Sequence, residues 1–178
     1  QTERVLMVLV NGPETGWPER DLTTKLERLF GGKNKFELVP AIEAEVLAAT
    51  REGRFRKVQL IDHGLRINCR YIVSCDLIRE ELTLERHFRI PFLINQNRVA
   101  AILELDYHVV DCYCGRVVHS DRFKKHRFGS SSMQLLDNSG ADPDLYLSYP
   151  DRKRLFDDLE DDAAREIFAE LERIAKQR

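Results

Sequence analysis

The sequence predicts an α/β fold: a mixed sheet of about five strands that ends in a β-meander, with helices packed on it and a long helix at the C-terminus. Three observations carry this. Val5–Val10 is a short uninterrupted apolar run, the signature of a strand buried on both faces. From Val99 to Val110 the chain alternates with a period of two. Val99, Ala101, Leu103, Leu105, Tyr107 and Val109 share one face, and Glu104, Asp106 and His108 the other. Beyond Pro150, Leu155, Leu159, Ala163, Ile167, Leu171 and Ile174 form a single helical stripe.

In order, Arg4–Val10 is the first strand, closed by Asn11-Gly12-Pro13. Pro18 suits the first turn of a helix in which Leu22, Leu26, Leu29 and Phe30 recur at helical spacing before Gly31-Gly32 stops it. Lys35–Val39 is a short strand ended by Pro40, and Ile42–Arg51 a helix terminated at Gly53. Phe55–Ile67 reads as a third helix, broken near Gly64, with Val58, Leu60, Ile61 and Leu65 partly buried. Cys69–Ile78 is the third strand. Arg79–Arg98 is densely charged around Ile90-Pro-Phe-Leu-Ile94 and reads as a protrusion, into which the strand can continue.

The strand from Val99 then stops at Asp111-Cys-Tyr-Cys-Gly115, where glycine takes the positive φ that closes a hairpin, and Arg116–Lys125 runs back beside it. Residues 129–149 are expected to form a loop of about twenty residues, functional or mobile. Pro150 opens the last helix, at 150–176. Acids crowd its start, and Arg173, Lys176 and Arg178 its end, complementing the helix dipole. A length of 178 residues fits one domain spanning 1–178.

Composition is that of an ordinary globular chain, 43% hydrophobic and 33% charged. The net charge of −2 supplies no global field to steer nucleic acid or an acidic membrane. No apolar run approaches the roughly 20 residues of a membrane helix. The chain starts at Gln1, which fits a processed secreted protein, a lipoprotein stripped of an upstream anchor, or a trimmed chain.

Catalytic and ligand constellations are weak. Cys69, Cys75, Cys112 and Cys114 read as isolated thiols. Cys112 and Cys114 are the candidate thiol pair, for a soft metal or a strained disulfide, without the doubled Cys-x₂₋₄-Cys of a zinc site. His108 and His119 flank the hairpin and would be the one histidine pair brought together, with Asp106 or Asp121 near. No nucleophile elbow and no phosphate loop occurs. No catalytic residue, cofactor or metal is assigned. The basic run Arg122-Phe-Lys-Lys-His-Arg-Phe128 reads first as an edge strand guarded by cations, and second as a phosphate or headgroup contact. Asp157–Asp162 lacks the spaced oxygen ligands of a calcium loop and reads as a solvated helix start.

Four segments, in order, resemble the family of the curli-secretion channel protein and related bacterial envelope lipoproteins, with the amino-terminal domain of TolB as a more distant relative. Arg4-Val-Leu-Met-Val-Leu-Val10 is similar to the family's "V-x-V-L-P-F", and Phe36-Glu-Leu-Val-Pro40 stands where it has "F-x-V-V-E-R". Cys69-Arg-Tyr-Ile-Val-Ser-Cys-Asp-Leu77 resembles "A-D-Y-I-V-x-G-x-I", with Cys69-Arg70 for Ala-Asp and Cys75-Asp76 at the glycine. Leu105-Asp-Tyr-His-Val-Val-Asp-Cys-Tyr-Cys-Gly-Arg-Val-Val-His-Ser120 resembles "V-x-x-R-L-V-D-x-x-T-G-E-V-x-W-S".

The resemblance covers about residues 4 to 125. It implies a fold akin to anticodon-binding domains and a non-enzymatic role in assembly or secretion, periplasmic or at the outer membrane. Partners would be other envelope proteins or a further copy of the chain, with an upstream lipid anchor and no nucleic acid. Arg79–Arg98 is too charged and too short for two membrane-crossing strands, so no pore is expected. The expected contact surface comprises Phe92 and Leu93 in the protrusion, Arg122, Lys124, Lys125 and Arg127 on the edge strand, and the loop at 129–149. The competing expectations are a metal or redox protein built on the Cys/His residues and a cytoplasmic nucleic-acid-binding module.

Overall fold

The computed structural model describes residues 2–11, 22–32, 35–39, 57–90, 94–135 and 147–177. Strands β1 (Glu3–Asn11), β2 (Phe36–Val39), β3 (Tyr71–Ile90), β4 (Ile94–Asp111) and β5 (Arg116–Leu135) form one sheet in the order β2-β1-β3-β4-β5. β1 lies parallel to both β2 and β3, and β3-β4-β5 is an antiparallel meander. Helices α1 (Leu22–Gly31), α2 (Lys57–Arg66) and α3 (Tyr149–Lys176) complete the fold. The expected mixed sheet with its terminal helix is thus present. Pro18 and the helix expected at Ile42–Arg51 lie outside the described residues.

Alternation on the central strands divides the interior in two. Val5, Met7, Tyr71, Val73, Leu103, Leu105, Tyr107 and Val109 face α1 and α3 in the larger core. Leu6, Val8, Ile72 and Val110 face the other way, packing with Leu60 of α2 and with Cys69 and Cys112. A strand buried on both sides must be apolar at every position, which is why β1 reads as a continuous run. Phe30, Phe36 and Phe168 lock α1, β2 and α3 together, their ring centroids 5.5 to 6.0 Å apart.

Two boundaries differ from expectation, and at a third the strand continues as the sequence allowed. β3 continues through the charged segment to Ile90 and pairs with β4 as far as Ile94, so Arg79–Arg98 is chiefly ladder. Its charge sits on a strand whose Leu82 still packs on the core, and a register shift between Leu77 and Arg79 re-phases the alternation. β5 runs on to Leu135, so the first seven residues of the expected loop are strand. α2 passes through Gly64 without a break, and it exposes Val58 (79%) and Leu65 (47%) because only the Leu60 side of this short helix meets the sheet.

Ser148 caps α3, its hydroxyl accepting from the Asp151 amide at 3.3 Å, and Pro150 occupies the first turn. The acidic start of α3 is not simply solvated. Lys25, on the core-facing side of α1, donates to the Asp157 carbonyl at 3.0 Å and lies 3.1 Å from Asp161 and 3.8 Å from the buried Glu160.

Candidate interaction surface

β5 borders the sheet, paired with β4 on one side. The strand period splits its basic run between two faces. Arg122 and Lys124 stand opposite Asp106 and Glu104, whereas Lys125 and Arg127 stand opposite the core-facing Leu103 and Ala101. Arg122 grips Asp106 with two donors, at 2.6 and 3.0 Å, and reaches Glu104 at 3.3 Å; Lys124 lies 3.0 Å from Glu104. The Arg122 hydrogen bonds hold the Asp106 carboxyl below the usual carboxylate range. On the other face Arg127 pairs with Asp162 of α3 at 2.7 Å, with Lys125 at 3.9 Å from the same carboxylate.

The four cations therefore tie β5 to β4 and to α3 and do not form one basic patch. On the same face as Lys125 and Arg127, Phe123 is buried and stacks beneath Lys125. Phe92 and Leu93 lie outside the described residues. Near that end of the meander Arg98 is exposed, its guanidinium 3.8 Å above the Phe128 ring.

The histidines do not form the expected pair. Val109, not His108, lies opposite His119. His119 is on the core face, Nδ1 3.1 Å from Glu170 of α3 and its ring 5.6 Å from Tyr107, whereas His108 contacts Ser120 at 2.6 Å on the opposite face. Nor do the thiols converge. Cys112 is buried with Cys69 in the smaller core, and Cys114 is exposed on the turn. Burial pushes the Cys112 thiol up to about 12, Cys69 and Asp111 adding to the effect, and it pushes Cys75 up to about 12. Cys69 rises to about 11, again mainly through burial, with Arg4 opposing. Those three are poor nucleophiles. Among the described residues no group of three or more His, Cys, Asp or Glu is placed to hold a metal.

Asp111 gives the Asp111-x-x-x-Gly115 element its physical meaning. Its buried carboxylate accepts from the Cys114 amide at 3.0 Å, and Gly115 takes φ +65° to reverse the chain. Arg70 backs the turn, bonded to Glu3 at 2.6 Å and stacked near the Tyr71 and Tyr113 rings. A shallow cleft of about 400 Å³ at the foot of the sheet is lined by Thr2, Glu3, Lys35, Phe36, Glu172 and Lys176, with no nucleophile beside a base.

The residues that sequence reasoning missed are Glu104, Asp106 and Asp162, which neutralise the basic run. Glu104 and Asp106 were legible as cross-strand partners once Asp111–Gly115 set the register; Asp162, on a distant helix, left no local signal.

No family model matches this chain, and no curated protein does. Solved structures do resemble it in shape. The hypothetical protein CT253 from Chlamydia trachomatis aligns over 97% of this chain and 96% of its own, at 11% identity and a TM-score of 0.48. The uncharacterized lipoprotein B from Nitrosomonas europaea covers 94% and 80%, at 10% identity and TM-score 0.47. A minor lipoprotein from Acinetobacter baumannii covers 94% and 88%, at 14% identity and TM-score 0.41. Two of these three are thus named as bacterial lipoproteins. Among the described residues, no helix is long and apolar enough to cross a membrane.

Proposed function

We propose that this chain is a non-enzymatic part of a bacterial envelope protein, working in assembly or secretion through protein–protein contacts at the border of β5. The observation that carries this is the position of β5: among the described residues it is twenty residues of strand at the limit of the sheet, hydrogen-bonded to β4 on one side. A partner segment adding there would gain a long ladder of main-chain bonds, the mode of recognition that an open sheet edge offers. Arg122 and Lys124 are engaged by Glu104 and Asp106, and Lys125 and Arg127 by Asp162, so main-chain groups rather than these four charges are what this border would offer a partner.

The envelope location, periplasmic or at the outer membrane, and the kinship to the curli-secretion and TolB group rest on the four sequence segments above. Raised thiol pKa values at Cys69, Cys75 and Cys112 weigh against the redox alternative. The neutralised basic run weighs against nucleic acid, whose phosphates would need those cations free.

The test places a photo-reactive residue at Ser120, Lys124 or His126 of β5 and, as a control, at exposed Arg165 of α3, in cells making the full-length product. Adducts from β5 alone, in the envelope fraction, are expected. Equal adducts from Arg165 would reject the border, and a product found in the cytosol would reject the location.

A further inference from the structure

The sheet sorts the four cysteines, and two of them share a site. Cys75 belongs to the larger core, on the far side of the sheet. Cys114 is exposed on the turn, its amide held by Asp111. Cys69 and Cys112 lie together in the smaller core, 0% and 2% exposed, among Leu6, Ile72 and Val110.

Three contacts bring that pair to one place. The β3-β4 ladder begins at Tyr71 opposite Asp111, and just beyond it the Cys112 amide donates to the carbonyl of Arg70, the neighbour of Cys69, at 2.8 Å. Asn68, at φ 57°, closes α2 and turns the chain so that the Cys69 amide donates to the Gly64 carbonyl at 2.7 Å. Gly64 is also where Cys112 packs, since a Cβ there would lie 2.6 Å from the Cys112 sulfur. Both cysteines therefore converge on one glycine, the first through its backbone and the second through its sulfur. Burial, and after it the charge of a Cys69 thiolate, raises the Cys112 thiol, as expected of two thiols in one apolar site.

We propose that Cys69 and Cys112 are a disulfide pair, joined in an oxidising compartment into a structural staple that ties the start of β3 to the end of β4. The structure holds the pair in its reduced form, as free thiols. On closure the two thiols give up two protons and two electrons, one sulfur–sulfur bond forms, and the oxidant, itself a disulfide, is cleaved to two thiols that take them up. Exchange needs a thiolate, and burial suppresses thiolates at this site. The bond therefore forms while the site is open during folding and is shielded from reductants afterwards. It is a staple and not a redox centre. Its loop spans β3 and β4, so it restrains the unfolded chain strongly. Its presence in cells rests on the envelope reading above, because that compartment is oxidising; its ability to close does not.

The experiment refolds the reduced, unfolded chain in a buffer containing oxidised glutathione, blocks remaining thiols with iodoacetamide and digests with trypsin. Cleavage separates Ile67–Arg70, Tyr71–Arg79 and Val99–Arg116, which carry Cys69, Cys75 and the two turn cysteines. The first and third peptides should be joined and Cys75 alkylated. Cys114→Ser should keep the link and Cys112→Ser should abolish it. The double variant Cys75→Ala, Cys114→Ser, which retains only the pair, should still close. The linked chain should melt about 5 to 10 °C above the same chain kept reduced.

A link that Cys114→Ser removes, a link to Cys75, or four alkylated thiols after oxidative refolding overturns the proposal. So does a linked chain that melts no higher than the reduced one. None of these outcomes bears on strand addition at the β5 border, which is read by cross-linking in cells and not by thiol state.

Discussion

The ammonium of Lys25 lies 3.8 Å from the carboxylate of Glu160, joining α1 to α3 across a seam where the two side chains are only 12% and 8% exposed. Asp157 and Asp161 complete its cage. Removing one member of such a cluster strands the others in a poorly solvated site. Lys25→Met should therefore destabilise the fold by about 2 to 3 kcal/mol in urea unfolding. Adding Glu160→Gln to that variant should recover part of the loss, because the stranded charge is gone. A Lys25→Met protein of unchanged stability would show the cluster to be energetically idle.

The turn between β4 and β5 separates two costs that are usually confounded. Asp111→Ala leaves the Cys114 amide without its acceptor and should cost about 1 to 3 kcal/mol. Gly115→Ala meets no atom within 4 Å, so only the φ of +65° opposes it, and about 1 kcal/mol is expected. Denaturant titration should rank the two in that order.

Gly64 lies under the opposite face. A methyl group there would approach Cys112 Sγ to 2.6 Å and Ile72 Cδ1 to 3.0 Å. Ala is the better helix former by about 1 kcal/mol, yet the overlap should reverse the sign and leave Gly64→Ala less stable by about 1 kcal/mol. Combined with Cys112→Ala, the substitution should become much less costly than on its own. Independent, additive effects in a double-mutant cycle would refute the contact.

Thiol chemistry follows from burial. In the native protein only the exposed Cys114 should react rapidly with a disulfide reagent, and all four thiols should react after unfolding. The thiols of Cys75 and Cys112 ionise near 12 when folded, against about 9 when exposed. The unfolded chain therefore releases their protons first. Stability should hold below pH 9 and decline as pH rises towards about 12. Cys75→Val should flatten that decline, which thermal melts over the alkaline range would detect.

Much of the architecture was legible because it obeys simple periods. The alternation from Val99 to Val110 and the stripe from Leu155 to Ile174 each report one buried face, and Gly115 marks the reversal between β4 and β5. The course of β3 past Ile78 was harder to read, because the density of charge from Arg79 to Arg89 masks the alternation of Leu82 and Leu84. Contacts between distant segments were least accessible. Nothing near Lys25 announces Glu160, and nothing near Arg127 announces Asp162, since both pairings are set by how a helix lies across the sheet.

The two borders of the sheet are unequal. β2 contributes four residues, β5 twenty. Copies joined β2-to-β5, head to tail, would leave most of each long border unsatisfied, so fibre-like propagation through this sheet is poorly rewarded. Two copies meeting β5-to-β5 about a dyad would instead consume both long borders at once and present only the four-residue ones outward. Any association of copies through β5 would thereby be self-limiting.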